Sequence, residues 1–177
     1  CTSATCPTTG ISGQFGQAAQ FDGVDDYVSE TLPITLTTGV GVTQTGQSFT
    51  VALWAKRTST GRLDMAVGQG TNSTNRGLHL GFRDNNTFTC AFFGNDLTTV
   101  AAYTDANWHH WACTFEADTR ARVIYRDGVI VAKDTATAPY QGNGSLFIGK
   151  TPWGNPFKGA LDEVSAYDRA LVADEVR

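Results

Sequence analysis

Hydrophobic and polar residues alternate in short runs along most of the chain, and clusters of Gly, Asn and Asp separate these runs. In the segment FTVALWAK, Phe49, Val51 and Leu53 occupy every second position. A period of two is the pattern of a strand with one buried face. Similar signals predict further strands in QAAQFDG, DDYVSE, LHLGF, TFTCAFF, HHWACTFEA, RARVIYR, SLFIG and ALDEVSAY.

Short turn sequences join several of these runs into hairpins. RDNN and DT each separate two runs, and Asp127-Gly128 divides the apolar run VIYRDGVIVAK. An Asp-Gly pair between alternating runs is a strong hairpin signal. Roughly ten short strands joined in this way predict an all-β fold, an antiparallel two-sheet β-sandwich of the jelly-roll type. The last residues, DRALVADEVR, predict a short C-terminal helix, because an Asp precedes an apolar-periodic turn.

The length of 177 residues predicts one domain, which buries roughly 70% of its unfolded surface. We assign residues 1–14 to an N-terminal loop or extension and residues 15–177 to the sandwich domain. The net charge of −4 and the pI of about 5.2 argue against nucleic acid or an anionic membrane as a partner. No apolar run approaches the roughly 18 residues of a membrane-spanning helix, so no membrane span is predicted.

The four cysteines show no spacing that is typical of a zinc site. Cys1 and Cys6 are close enough in sequence to bridge the N-terminal loop. Cys90 and Cys113 each alternate with aromatic residues and are predicted to face a packed layer, where a cross-strand disulfide is possible if their strands are neighbours. Two buried thiols are the alternative. The even number of cysteines in a Thr-, Gly- and Asn-rich chain favours disulfides and a secreted or cell-surface location.

Six segments occur along the chain in the order FDGVDDYV, FTVALWAK, WHHWACTF, IYRDGVIVA, LFIG and FKGALDEVSAYDRALVADEV. In this order they resemble a LamG-like domain of the concanavalin A-like lectin/glucanase superfamily, which has pentraxins among its relatives. The resemblance begins at about Phe15, and the final segment is its most specific part. It implies a two-sheet jelly roll that acts as a non-catalytic module, binds glycans or extracellular proteins, and often carries calcium.

Asp162 lies beside apolar residues in the last predicted strand, where an unpaired carboxylate costs on the order of several kcal/mol. Its neighbours in sequence supply no Arg or Lys, which leaves backbone N–H groups or a calcium ion as partners. The resemblance implies that the first and last strands are adjacent. We therefore expect a structural Ca²⁺ held by Asp162, by Asp22 or Asp25, and by backbone oxygens. The alternative is that Asp22 and Asp25 form an ordinary turn while Asp162 accepts backbone hydrogen bonds.

The loop IGKTPWGNPFKG presents Trp153 close to Asn155, an arrangement suited to stacking a sugar ring and hydrogen-bonding its hydroxyl groups. Alternatively, Trp153 covers one end of the sandwich. The loop contains no acidic residue, so the ligand-binding calcium of pentraxins is not implied. The other loop residues that we predict as ligand-binding candidates are Tyr103, Trp108, Tyr140 and Asn143. The histidines lack metal-ligand spacing and are assigned structural roles: His79, His109 and His110.

The acidic residues lack the spacing of a glycan-cleaving site. Retaining glycosidases use two carboxyl groups about 5–5.5 Å apart, and enzymes of the resembling superfamily carry them in an ExDxxE-like run, which is absent. Asp162 and Glu163 are adjacent and are expected on opposite faces of the strand, whereas Glu116 and Asp118 lie at a turn. The sequence therefore predicts a non-catalytic module for a carbohydrate or protein ligand. A structural or adhesive spacer without a ligand pocket is the alternative, and a glycan hydrolase or lyase is disfavoured.

Overall fold

The computed structural model describes residues 2, 4–30 and 46–176, which form thirteen strands in two sheets. The larger sheet contains, in spatial order, Thr8–Ser12 (β1), Gln17–Asp22 (β2), Lys158–Tyr167 (β13), Phe49–Arg57 (β4), His109–Phe115 (β9), Ala121–Arg126 (β10) and Val129–Thr135 (β11). The smaller sheet contains, in spatial order, Val28–Glu30 (β3), Leu146–Ile148 (β12), Asp64–Gly70 (β5), Gly77–Phe82 (β6), Thr87–Ala91 (β7) and Asp96–Ala102 (β8).

All ladders between these strands are antiparallel, and the predicted two-sheet sandwich is confirmed. β1 lies at the edge of the larger sheet, within the segment that the sequence assigns to an N-terminal loop or extension. Its residues are mostly exposed. An edge strand without a buried face carries no hydrophobic alternation, so the pattern along the chain could not reveal it.

Alternating residues of the two sheets form the core between them. In β4, Phe49 and Leu53 are fully buried. Trp111 of β9 stacks on Phe88 of β7 with ring centroids 4.0 Å apart, which joins the inner faces of the two sheets. Each buried side chain of this size contributes about 1.5–3 kcal/mol. Trp54, at an intervening position of β4, therefore faces the outer surface of the larger sheet.

A disulfide joins Cys90 to Cys113, with their Cα atoms 6.2 Å apart, so this predicted pair is confirmed. A cross-strand bridge would require neighbouring strands, but β7 and β9 belong to different sheets. The bridge therefore holds the two layers of the sandwich together. Cys1 lies outside the described residues, and its bridge to Cys6 stays a prediction.

A β-bulge interrupts β13 next to its buried carboxylate. Asp162 pairs with Trp54 and Ser165 pairs with Ala52, so β13 has one residue more than β4 in this interval. Glu163 is the extra residue, and its φ is 48°. The expectation that Asp162 and Glu163 point to opposite faces is wrong, because the bulge turns both side chains to the outer face that carries Trp54.

The predicted C-terminal helix is absent from the described residues, which form turns as far as position 176. Two backbone N–H groups bind side chains, and Glu175 N–H forms a turn bond to Val172 O at 2.9 Å. Leu171 N–H donates to Thr50 Oγ1 at 2.9 Å, and Val172 N–H donates to Glu175 Oε2 at 3.1 Å. Within the described part of the chain, no helix has the length and apolar character needed to cross a membrane.

Candidate functional site

The loop between β12 and β13 contains a tight turn that presents Trp153. Thr151 donates from its N–H and its Oγ1 to Gly154 O, at 2.9 and 2.7 Å, and Gly154 N–H donates back to Thr151 O at 3.1 Å. Pro152 has a fixed φ that suits the second position of a turn, and Gly154 has a φ of 118°, which favours glycine. The sequence TPWG therefore dictates the turn that carries the indole.

Two glycines of the smaller sheet leave space for this turn. A Cβ on Gly68 would lie 2.6 Å from Thr151 Cα, and a Cβ on Gly77 would lie 2.8 Å from Trp153 Cη2. Any side chain at these positions would push the loop away. The turn therefore lies directly against the outer face of β5 and β6.

Trp153, His79 and Phe93 meet edge to face and form what we call the aromatic corner. Ring centroids are 5.8 Å apart for His79 and Trp153, 5.9 Å for Phe93 and Trp153, and 6.3 Å for His79 and Phe93. The planes of the first two pairs are nearly perpendicular, at 89° and 87°. Perpendicular aromatic pairs are favourable contacts that fix ring orientations, so the corner is a preformed apolar surface.

Two residues of the corner and its rim have left-handed backbone conformations. The φ of Phe93 is 61° and that of Asn155 is 59°. Asn tolerates this region, whereas a left-handed Phe costs on the order of 1–3 kcal/mol and is held by its surroundings. Asn75 N–H donates to Phe93 O and Met65 N–H donates to Asn155 O, each at 3.1 Å. Such strain is found preferentially at ligand-binding sites.

A fully buried arginine supports the strained loop from below. Arg122 donates from Nη1 to Asn95 O at 2.8 Å, pairs with Asp134 at 2.7 Å, and lies 4.5 Å above the ring of Phe92. Asn95 in turn donates from Nδ2 to Asn75 Oδ1 at 2.7 Å. These bonds fix the backbone on the C-terminal side of the corner.

Polar groups border the aromatic corner. Arg83 Nη2 lies 2.8 Å from Asp96 Oδ2, and both side chains remain about one third exposed, at 32% and 28%. His79 Nδ1 lies 3.0 Å from Gly77 O and therefore donates to it. Burial lowers the pKa of His79, so the ring is neutral near pH 7. Its Nε2 is then a hydrogen-bond acceptor without a partner among the described residues.

These groups enclose a cavity of about 290 Å³, lined by Leu63, Met65, His79, Arg83, Phe93, Gly94, Asp96, Trp153 and Asn155. The cavity combines aromatic surface with a guanidinium, a carboxylate, an amide and an imidazole acceptor. Such a combination can bind a small molecule that has an apolar face and several hydroxyl groups. Trp153 and Asn155, the first two residues of the ligand prediction, thus line one cavity.

The other residues of that prediction lie elsewhere. Tyr140 is 1% exposed, and its hydroxyl donates to Gln69, so its assignment to a ligand surface is wrong. Tyr140 lies between Pro139 and Gly142, and this turn-like sequence gave no sign that its side chain packs in the core. Tyr103 packs edge to face on Trp111. Trp108 is half-buried directly before β9, and neither Tyr103 nor Trp108 lines the cavity.

Sequence reasoning missed Phe93, Arg83 and Asp96, and it treated His79 as structural. The positive φ of Phe93 and the Arg83–Asp96 pair depend on contacts that are distant in sequence. The segment FFGND did hold a signal, because its second Phe follows the alternating strand and precedes a Gly turn.

The carboxylates of the calcium prediction are not brought together. Asp22 pairs with no residue near Asp162, since its partner on β13 is Lys158. Asp162 is 6% exposed and accepts hydrogen bonds from Phe15 N–H and Glu163 N–H, both at 2.9 Å. This is the backbone-bonding alternative that the sequence left open. Acidic side-chain oxygens instead lie within 4.8 Å of one another in a cluster of Asp22, Asp25 and Asp26.

Several known proteins share this fold. The family model of the concanavalin A-like lectin/glucanases superfamily matches residues 22–177, whereas no curated protein matches the chain. One similar solved structure is domain 4 of AbnA, a GH43 extracellular arabinanase from Geobacillus stearothermophilus, in complex with arabinotriose. Its TM-score is 0.69 at 21% identity, covering 96% of this chain and 79% of that one.

Two further similar structures come from other organisms. The CBM40 of Ruminococcus gnavus IT-sialidase, bound to alpha2,3 sialyllactose, has a TM-score of 0.61 at 17% identity, covering 73% of this chain and 80% of that one. A heptameric SAP-like pentraxin from Limulus polyphemus has a TM-score of 0.60 at 13% identity, covering 89% and 78%. These identities establish the fold alone, whereas the family match covers most of the sequence. The chain belongs to the concanavalin A-like lectin/glucanases superfamily, in its laminin G-like branch.

Proposed function

We propose that the chain is a non-catalytic carbohydrate-binding module and that the cavity beside Trp153 is its saccharide site. The observation that carries this proposal is the aromatic corner with the His79 Nε2 acceptor and the Arg83–Asp96 pair at its border. The C–H face of a sugar packs on the indole, while its hydroxyl groups donate to His79 Nε2 and accept from Arg83. Two similar structures were solved with bound oligosaccharides, which supports this class of ligand.

The charges of the cavity support binding without catalysis. Asp96 is the only carboxylate among the described residues that line it, and this group is paired with Arg83. Glycoside hydrolysis typically needs two carboxyl groups. Glu116, which the sequence places at a turn together with Asp118, does not line this cavity and accepts a hydrogen bond from Ser48 Oγ at 2.7 Å. Because the Arg83–Asp96 pair has no net charge, the site suits an uncharged saccharide.

The inter-sheet disulfide supports a secreted or cell-surface location, because such bonds persist in oxidising compartments. The preformed cavity favours a binding module over a spacer domain without a ligand pocket. A structural calcium ion is proposed as well, with a ligand set different from the expected one. The cluster of Asp22, Asp25 and Asp26 offers three carboxylates of the kind that calcium prefers, although Asp22 Oδ1 and Asp26 Oδ2 each accept a backbone N–H. Both oxygens of Asp162 accept backbone N–H groups.

A glycan array of uncharged and sialylated oligosaccharides, followed by calorimetry, tests the saccharide site. Trp153→Ala is expected to weaken binding at least about 30-fold, as for a buried aromatic anchor. Trp108→Ala is the matched control, because this half-buried Trp lies outside the cavity, and it should bind normally. Unchanged affinity of folded Trp153→Ala would exclude the site. Release of reducing ends from a polysaccharide by the unmodified chain would contradict the non-catalytic assignment.

A further inference from the structure

The outer face of the larger sheet carries a groove on the side opposite the Trp153 cavity. Two cavities of about 410 and 230 Å³ share Phe15, Trp54 and His110, and together they form what we call the outer groove. Phe15 is 57% exposed. Its ring meets Trp54 edge to face at 5.8 Å, and Trp54 lies 5.5 Å from His110. Three rings thus line a surface that faces away from the core.

Polar groups in the outer groove have no partner among the described residues. They are the indole N–H of Trp54, the ring nitrogens of His110 and the carboxylate of Glu163. Burial lowers the pKa of His110, so its neutral ring offers one donor and one acceptor near pH 7. Unpaired donors and acceptors beside aromatic faces are what a polyhydroxylated ligand requires.

Asp162, buried below the outer groove, holds two of its lining segments in place. Its Oδ2 accepts the N–H of Phe15 and its Oδ1 accepts the N–H of Glu163, each at 2.9 Å. One buried carboxylate therefore holds both the turn that carries Phe15 and the bulge that carries Glu163. The bulge places Glu163 at a φ of 48°, a strained conformation for a residue other than Gly or Asn. Bulges and strain of this kind re-aim side chains at binding sites.

We propose that the outer groove is a second saccharide site and that it takes uncharged glycans. Carboxylates border it at Asp127, Glu163 and Glu175, and no described residue that lines it is Lys or Arg. Glu175 is paired with Arg169 at 2.7 Å and Asp127 lies 3.9 Å from Arg126 Nε, so Glu163 is the lining carboxylate that has no cationic partner among the described residues. Like-charge repulsion therefore disfavours sialylated or uronic glycans. The proposal does not rest on the Trp153 cavity. Because the two sites lie on opposite faces of the sandwich, one module can join two glycan chains.

Indole N–H resonances report on the two sites separately in one titration. The chain has four tryptophans, and Trp→Phe variants assign the signals of Trp54, Trp108, Trp111 and Trp153. Uncharged trisaccharides, with arabinotriose as the first probe, are expected to shift the Trp54 signal, whereas the signal of buried Trp111 stays constant. Phe15→Ala, a substitution of an exposed side chain, is expected to weaken this response at least about tenfold. Alpha2,3 sialyllactose should not change the chemical shift of the Trp54 indole N–H.

Each outcome bears on one site. No shift of Trp54 with any uncharged trisaccharide at about millimolar concentration overturns the second site, as does an unchanged response in Phe15→Ala. A shift of Trp54 by sialyllactose at equal affinity overturns the charge selection. Movement of Trp153 alone retains the Trp153 site and removes the second site. Movement of Trp54 alone retains the second site and removes the Trp153 site. A melting curve confirms that Phe15→Ala is folded.

Discussion

Gly77 lies directly beneath the indole of Trp153, so that a Cβ at this position would lie 2.8 Å from Trp153 Cη2 and 3.2 Å from Phe93 Cβ. Both contacts are shorter than carbon atoms normally allow. The same Cβ would also clash with the backbone oxygen of Thr71. Because Gly77 has an ordinary backbone conformation, its role is to leave space for the aromatic corner and for the backbone of Thr71.

Gly77→Ala is therefore expected to displace Trp153 and to weaken saccharide binding about tenfold or more, with a loss of stability of roughly 1–3 kcal/mol from overpacking. Calorimetry and a melting curve measure the two effects. Gly10→Ala is the control, since Gly10 has a φ of 80° but a Cβ on it would meet no atom within 4 Å. It should lose stability without losing affinity. Equal affinity of both variants would contradict the role of Gly77.

The disulfide between the two sheets predicts a measurable dependence on reducing agents. It spans 23 residues, and a bridge of this length is expected to contribute about 3 kcal/mol, or a Tm shift of roughly 6–12 °C at this chain length. The double variant Cys90→Ala and Cys113→Ala should have this lower Tm without reductant, and a reductant should not lower it further. A reductant that leaves the Tm of the unmodified chain unchanged would contradict a stabilising bridge.

The hydrophobic pattern was sufficient for the sandwich because its signals are local. Buried positions such as Phe49 and Leu53 recur at every second residue of a strand. The prediction of a C-terminal helix failed because an apolar period does not show that Leu171 N–H is already bound by Thr50, which is 121 positions away. A pattern along the chain contains no information about such a partner.

The candidate site was predictable only where one loop determines it. TPWGN presents Trp153 and Asn155 through its own turn chemistry. Phe93 joins them from another strand connection, which only the folded sheet brings near. The bulge at Glu163 likewise depends on pairing with β4, and one added residue reversed the predicted faces of β13.

Stability is expected to fall on mild acidification. Burial lowers the pKa values of His79 and His110 below the ordinary value of about 6.5 that applies in the unfolded chain. As the pH falls through about 6.5, the unfolded state takes up protons that the folded state does not, so the free energy of unfolding decreases. Above this pH the contribution is constant. Denaturant unfolding between about pH 7.5 and 5.5 measures this slope, and the double variant His79→Asn and His110→Asn should flatten it. An equal slope in both chains would show that other groups cause the effect.

The calcium proposal and the role of Asp162 can be separated by two isosteric substitutions. If calcium binds at the Asp22, Asp25 and Asp26 cluster, EGTA lowers the Tm of the unmodified chain. The free energy of unfolding then falls by about 2.7 kcal/mol if free calcium was present at 100 times its Kd. Asp25→Asn should then remove the response to EGTA. Asp162→Asn should cost roughly 1–3 kcal/mol, because its amide cannot accept both backbone N–H groups, and should keep the response to EGTA.

The opposite pattern is equally informative, because the two carboxylates have different partners. If only Asp162→Asn loses the EGTA response, Asp162 of the last strand is a calcium ligand, as the sequence predicts. No response in any chain, together with no metal by elemental analysis, would leave Asp22 and Asp25 as turn formers. In that case Asp22 Oδ1 retains the role that its bond from Val24 N–H, at 2.7 Å, already gives it.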